Sequence, residues 1–226
     1  MEEYLALIPA AGMGSRAQQN MAKQFQKIGA KCLIEYSIEP FLRDEKCQRI
    51  CVVLQEEDEI WDSLAISKSE KIITCDGGTS RMESVHLGLK CLLETEDKNE
   101  LVAIHDAARP CVSTRLINSS FKAASVYKSA VAAVALKDSI REKSGSTTIS
   151  RDRSNYYLVQ TPQTFDNKLL KKAYMQPYNN HFTDDASVVS SDGHEVHLIE
   201  GSYENIKITT DGDLYLARLF LSKNLA

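Results

Sequence analysis

Short apolar strands alternate with helical stripes along most of this sequence, and no other feature constrains the fold as strongly. Tyr4 to Pro9 reads as an apolar strand, Arg49 to Leu54 (RICVVL) as a β-branched one, and Lys71 to Thr74 (KIIT) as another. Leu101 to His105 (LVAIH) and Ala130 to Leu136 read as further buried strands. Between them, apolar residues recur at helical spacing. One stripe is Leu33, Ile34, Ile38, Phe41 and Leu42, with Pro40 placed awkwardly inside it. A second is Val85, Leu89, Leu92 and Leu93, and a third helix runs from about Arg115 to Tyr127. This alternation predicts an α/β fold whose mainly parallel sheet is flanked by helices on both faces. Further on, Asp184 to Ser191 reads as a short helix stopped by Gly193, and Glu195 to Ile199 and Asn205 to Ile208 as strands. Thr210 with Asp213 three residues later is a capping box that opens the final helix.

Residues 138 to 159 break the pattern. They alternate polar and apolar residues around Lys143-Ser144-Gly145-Ser146, the signature of a hairpin. That hairpin has too little apolar content for a core of its own, so it is expected to be a protruding β-hairpin arm that leans on something else, a second subunit being one option. A chain of 226 residues suits one α/β domain better than two, and no repeat or low-complexity linker divides it. Residues 1 to 226 are therefore expected to form a single domain with the arm at about 138 to 159.

Charge and cysteine usage narrow the function classes. The net charge of −4 does not invite nucleic acid, so an anionic ligand must be held by a local cluster of bases. No apolar run approaches the ~18 residues of a membrane-spanning helix, and the acidic N-terminus does not look like a secretory signal. The six cysteines (Cys32, Cys47, Cys51, Cys75, Cys91, Cys111) are scattered singly without a CxxC pair. They read as reduced thiols of a cytosolic protein, so a cytoplasmic location is expected. The histidines show no HExxH pattern, and no metal ligation by protein side chains is expected from them.

The candidate chemistry sits at the ends of the first and fourth of these strands. Gly12-Met13-Gly14 follows the first strand, where bare backbone lets amide N–H groups approach a phosphate. The GK[ST] ending of a Walker loop is missing. Gly12, Gly14 and Ala17 match the dinucleotide fingerprint formally, but Glu35 lies in a helical stripe and not at the strand end that a ribose-binding acid needs. Arg16 and Lys23 are the more informative pair, because fixed cations stabilise charge that develops on an α-phosphoryl group under attack. A cation ~4 Å away at an effective dielectric near 20 contributes about 4 kcal/mol of Coulomb energy. Asp106 stands at the carboxyl end of the LVAIH strand, where open α/β sheets gather ligands. It is suited to Mg²⁺ or a hydroxyl and Arg109 to a phosphate; the plainer alternative is a local Asp–Arg pair.

With these residues in view, the chain resembles the 2-C-methyl-D-erythritol 4-phosphate cytidylyltransferase family almost end to end. The motifs that carry the resemblance are PAAGMGSR (Pro9 to Arg16), KQF (Lys23 to Phe25), DGGTSR (Asp76 to Arg81) and HDAARP (His105 to Pro110). QTPQTF (Gln160 to Phe165), TDDAS (Thr183 to Ser187) and EGSYENIKITT (Glu200 to Thr210) follow in order. The resemblance implies a Rossmann-like nucleotidyltransferase domain, a homodimer with interlocking arms, and transfer of CMP from CTP to methylerythritol phosphate with Mg²⁺ as cofactor. It also implies residue roles. Arg16 and Lys23 would stabilise the pentacovalent α-phosphorus. Ala10, Ala11, Gly12, Gly14, Gly78 and Thr79, with the Ser84 hydroxyl, would bind the nucleotide. Asp106 would lie near the acceptor and a Mg²⁺ held mainly by the triphosphate. Arg153 and Lys207 would hold the acceptor phosphate, helped by Arg109, Ser139, Thr161 and Thr183, with Ser139 and Arg153 reaching across from the partner's arm.

Four positions depart from the family pattern: Ala22 replaces a usual proline, Ala17 a common methionine, Thr79 a frequent Asp and Ser139 a common threonine. None removes a charged group. The rival readings are a ribitol 5-phosphate cytidylyltransferase, against which the loop PAAG speaks, and a dinucleotide-binding oxidoreductase, against which Glu35 speaks. A loop cation acting on the transition state predicts that Lys23→Ala lowers turnover by about 10² to 10³. Steady-state pyrophosphate release checks this, and a variant as fast as the wild type would sink the idea.

Overall fold

The computed structural model describes residues 3–12, 22–56, 58–95 and 101–223. In chain order, strand β1 (Tyr4–Pro9) is followed by the small hairpin β2 (Lys27–Ile28) and β3 (Lys31–Cys32) and by helix α1 (Leu33–Leu42). Then come β4 (Cys47–Leu54), α2 (Glu59–Ser63), β5 (Ile72–Asp76), α3 (Arg81–Thr95), β6 (Leu101–Ile104), α4 (Thr114–Tyr127) and β7 (Ser129–Ala135). The hairpin β8 (Ile140–Ser144) and β9 (Thr147–Arg151) precedes β10 (Tyr157–Asp166), α5 (Asn167–Ala173), α6 (Asp185–Ser191), β11 (Leu198–Glu200) and α7 (Asp211–Lys223).

Strand β1 is apolar throughout because both its faces are covered. Tyr4, Ala6 and Ile8 enter one core with Ile34, Ile38, Phe41, Trp61 and Phe121, while Leu5 and Leu7 enter the other with Val85, Leu89 and Leu92. Parallel strands buried on both faces read as continuous apolar runs, which is why the sequence placed this one correctly. The sheet has seven strands in the order β11-β7-β10-β6-β1-β4-β5. β1 is parallel to β4 and β6, β4 to β5, and β7 to β11, whereas β10 is antiparallel to both β6 and β7. The mainly parallel α/β architecture therefore holds, with one reversed strand inside it. The loops after β1, β5 and β6 consequently open at the same end of the sheet.

Three local expectations need correction. Residues 205–208 form no strand: Ile208 N donates to Ala108 O at 2.8 Å and Asn205 O accepts from Arg109, so this backbone is committed to the loop after β6. The expected strand over 195–199 shrinks to Leu198–Glu200. Upstream of it the Ser129 hydroxyl replaces the ladder, donating to Glu195 O and accepting from His197 N. Strand β10 was not anticipated at all, and its first three residues fall in the span assigned to the arm. The arm proper is β8–β9, closed by Gly145 at φ 60° and exposed or half-buried along its whole length. Pro40 lies in the last turn of α1, where the helix ends at Leu42. Among the described residues no helix is long and apolar enough to cross a membrane.

Helix α3 approaches the sheet closely at Gly88, where a Cβ would stand 2.6 Å from Val53 Cγ2 and 2.8 Å from Leu7 Cδ1. Gly88→Val is therefore expected to destabilise the protein by about 2 kcal/mol or more, as overpacked cores do. Urea denaturation measures this, and an unchanged midpoint would mean that α3 can stand off the sheet without loss.

Candidate active site

The loop after β1 is fixed from below. Ala10 N donates to Val53 O at 2.8 Å, and the buried Gln24 side chain donates to the carbonyls of Ala10 and Gly12. Facing it is the turn after β5, where Gly77 N donates to Leu54 O at 2.7 Å. The two loops nearly touch: a Cβ on Gly77 would lie 2.2 Å from Ala11 Cβ, so only glycine fits there. The Ser84 hydroxyl, in the first turn of α3, accepts from Gly78 N at 3.1 Å and donates to Ser80 O at 2.9 Å. Thr79 donates through both N and Oγ1 to Glu83 Oε2 at 2.7 Å. The turn is thus shaped by its own side chains.

These loops wall a cleft of about 770 Å³ that brings together Ala10, Ala11, Gly12, Lys23, Gly78, Thr79, Ser84, Asp106 and Lys207. Arg16 and Gly14 lie outside the described residues. Lys23 sits in a short 3₁₀ turn, and its Nζ donates to Thr209 O, which ties the first loop to the segment before α7.

Asp106 is the electrostatic centre. Its carboxylate accepts from Lys207 Nζ at 3.0 Å, Arg109 Nε at 3.3 Å and Arg81 at 3.5 Å. Burial works to raise its pKa, but the charges of Arg81, Lys207 and Arg109 overcome this and hold the carboxyl well below the usual range. Arg81 itself is clamped by two parallel hydrogen bonds to Asp185 at 2.8 and 2.9 Å, and the Tyr174 hydroxyl donates to the same carboxylate. Three cations face two carboxylates, Asp106 and Asp185, which leaves this cluster one positive charge in excess in a chain of net charge −4.

A second hollow of about 350 Å³ shares Arg81, Asp106 and Lys207 with the cleft and adds Arg109, Thr161 and Thr183. Thr161 Oγ1 accepts from Asp106 N at 3.0 Å and lies 3.0 Å from His105 Nδ1, whose other nitrogen meets Arg109 O at 3.1 Å. Burial pushes the His105 pKa down to about 4. Asn205 Nδ2 donates to Thr161 O at 2.8 Å, and Arg109 donates to Asn205 O at 2.9 Å. The two cavities meet at Asp106, which suits a ligand pair whose phosphates approach each other.

Ser139 and Arg153 line neither cavity. Both are exposed at the base of the arm, where Arg153 donates to Lys137 O. Glu35 lies in the first turn of α1 with its carboxylate on Cys32 N at 2.7 Å, so it offers nothing to a ribose at a strand end. Arg81, Asp185, Tyr174, Gln24 and Asn205 were given no role by the sequence reading. All but Tyr174 lie inside motifs it had singled out, and their partners become visible only in three dimensions. Asp106 is the one carboxylate in the lining of the cleft among the described residues. A magnesium-like ion keeps its waters and binds through one or two carboxylates plus substrate phosphates, so this sparse donor set fits one.

Known proteins resemble this chain over nearly its whole length. The family model for 2-C-methyl-D-erythritol 4-phosphate cytidylyltransferase matches residues 4–223. A protein of that name from Bacteroides fragilis is 42% identical over 221 residues, covering 96% of this chain and 98% of its own. Another from Halalkalibacterium halodurans is 37% identical over 229 residues, covering 98% of each. A crystal structure of a 4-diphosphocytidyl-2C-methyl-D-erythritol synthase superposes with a TM-score of 0.83 at 30% identity, covering 98% of this chain and 100% of its own. The Francisella tularensis 2-C-methyl-D-erythritol 4-phosphate cytidylyltransferase superposes with a TM-score of 0.82 at 28% identity, covering 97% and 100%.

The buried His105 generates a prediction about pH. Its folded pKa of about 4 lies below the ordinary 6.5, so the unfolded chain binds more protons between those values. Its contribution is fully present above pH ~6.5 and falls by about 3 kcal/mol as pH drops towards 4. The depressed pKa of Asp106 adds a further loss only below pH ~4. Urea denaturation of wild type and His105→Gln across this window should show a smaller acid loss in the variant. Equal slopes would mean that His105 is not held neutral.

Proposed function

Because the chain belongs to the 2-C-methyl-D-erythritol 4-phosphate cytidylyltransferase family, we propose that it transfers a cytidylyl group from CTP to 2-C-methyl-D-erythritol 4-phosphate, giving 4-diphosphocytidyl-2-C-methyl-D-erythritol and pyrophosphate in isoprenoid biosynthesis. The single observation that carries this reading on the molecule itself is the pair of cavities meeting at Asp106 under a wall of three cations. The ribitol 5-phosphate alternative is not favoured, since the relatives compared carry the methylerythritol name. The larger cleft, walled by Thr79 and the glycine turn, is read as the nucleotide subsite. The smaller hollow is then the acceptor subsite.

In this reading the backbone at Ala10, Ala11, Gly12 and Gly78, with Thr79, holds the cytidine, and Ser84 acts by shaping the turn and offering its remaining lone pair. Gly14 and Arg16 complete the phosphate loop. An ionised acceptor phosphate oxygen attacks the α-phosphorus in line. The new P–O bond forms as the bond to the β-phosphate's bridging oxygen breaks, and pyrophosphate leaves with that electron pair. Acceptor phosphate is already ionised at neutral pH, so no general base is needed. Lys23 and Arg16 stabilise the charge that grows on the α-phosphoryl oxygens. Lys207 and Arg109, held in place by Asp106, orient the acceptor with Thr161 and Thr183. Asp106, the one carboxylate in the lining of the cleft among the described residues, would hold a divalent cation, Mg²⁺ by preference, which would neutralise charge on the triphosphate.

Ser139 and Arg153 stand away from the cavities of their own chain, and the arm together with the start of β10 leaves Ile149, Tyr156, Tyr157, Leu158 and Val159 exposed. A homodimer in which the arm covers the partner's acceptor subsite accounts for both observations. A single nucleotidyltransferase domain, a cytoplasmic location and no membrane or nucleic-acid partner complete the proposal; the free cysteines are in keeping with a reducing compartment.

Pyrophosphate release with CTP and Mg²⁺ tests the activity, with methylerythritol phosphate and ribitol 5-phosphate as competing acceptors. Release with the first alone is expected, and a preference for the second would overturn the assignment. Mixing Lys23→Ala and Arg153→Ala proteins under subunit exchange should restore part of the lost activity, because one site then regains both residues. No recovery in verified heterodimers would refute the shared site.

A further inference from the structure

Away from the cleft, a second group of reactive side chains converges. Cys51 of β4, Cys75 of β5 and Cys91 of α3 place their Sγ atoms within 4.8 Å of one another. Nothing in their spacing along the chain announces this, and the sequence reading took them as isolated thiols. None of the three lines either cavity of the candidate active site.

The geometry is that of a shared ligand and not of a crosslink. Cys51 Sγ and Cys75 Sγ are 3.8 Å apart. Thiolates bound at ~2.3 Å around a tetrahedral ion lie about 3.8 Å from one another, so this pair already has the edge of such a site. In the ladder, Cys51 pairs with Ile73 and Val53 pairs with Cys75, which sets the two cysteines on a diagonal. With strands ~4.8 Å apart and a rise of ~3.3 Å per residue, their Cα atoms are about 8 Å apart. Disulfides need less than ~7 Å without backbone movement. Cys51 and Cys75 therefore bring their sulfurs together across a backbone gap that a disulfide between them cannot close. Cys51 is fully buried, whereas Cys75 and Cys91 are half-buried, so the centre is open on one side.

We propose that Cys51, Cys75 and Cys91 form a three-thiolate site for a soft divalent cation of the Zn²⁺ class, with a water in the fourth position. Thiolate ligands select Zn²⁺ over Mg²⁺ or Ca²⁺, so the site does not compete for the hard cation of the nucleotide. A bound ion ties β4, β5 and α3 together, since Cys75 is the penultimate residue of β5 and Cys91 lies on the helix that starts at Arg81.

Cobalt reports on such a site without reference to catalysis. Reduced full-length protein titrated anaerobically with Co²⁺ should show a sulfur-to-cobalt charge-transfer band and strong visible bands of a tetrahedral ion, saturating at one equivalent and displaced by Zn²⁺. Zn²⁺ should also raise the Tm. Because Cys51→Ser disturbs the core, Cys91→Ser and Cys75→Ser are the informative variants. Each should weaken cobalt binding by about tenfold or more, the least a lost ligand costs when outer-shell changes already cost ~10- to 100-fold. Cys111→Ser should leave binding unchanged. Absence of the charge-transfer band in folded wild type, or a band that survives in both Cys75→Ser and Cys91→Ser, would overturn the proposal. So would a Cys75–Cys91 disulfide that forms on air exposure in protein that gives no band with cobalt.

Discussion

The Asp106 carboxylate organises this end of the molecule. An unpaired carboxylate buried at a strand end would be prohibitively costly, so the fold must bring positive charge to it. It does so from three places: Arg81 from the start of α3, Arg109 from the loop after β6 and Lys207 from the segment before α7. Arg81 is in turn held by Asp185 at the start of α6. Four distant stretches of chain are therefore positioned by one need for charge balance. Lys207 remains 45% exposed while it holds Asp106, and it lines both cavities.

Much of the scaffold was legible because burial on both faces writes itself into sequence as unbroken apolar runs, as in β1 and β4. Strand β10 was invisible for the opposite reason. Its buried half contains Gln160, Thr161, Gln163 and Thr164, which the fold can bury only because each finds a partner. Gln163 donates to Asp184 and Gln160 and accepts from Ala186 N, and Thr164 shares a hydrogen bond of 2.6 Å with Ser120. Hydrophobic periodicity cannot register such a strand. The expected strand at 205–208 failed in a related way, since its apolar residues Ile206 and Ile208 pack beside α7 without a ladder.

The site divides along similar lines. Lys23, Asp106, Arg109, Thr161 and Lys207 were found from motifs and do gather around the two cavities. Arg81, Asp185 and Tyr174 had no separate signal, because their importance lies in a contact spanning 104 residues of sequence between Arg81 and Asp185. Asp106 and Arg109 had been weighed as either ligand groups or a local ion pair. They form the ion pair, and the pair is the means by which Arg109 is aimed at the smaller hollow.

Strand β10 joins two mechanical regimes. Its first three residues emerge exposed from the base of the arm, and the remainder runs buried through the sheet. Between Val159 and Gln163 its register with β7 slips, and strands bend most readily at such irregularities. Thr161 sits within that slip and holds the backbone N–H of Asp106. The strand that leaves the base of the arm is therefore the same strand that supports the central carboxylate, and Thr161 gives that support at the point where the pairing with β7 is interrupted.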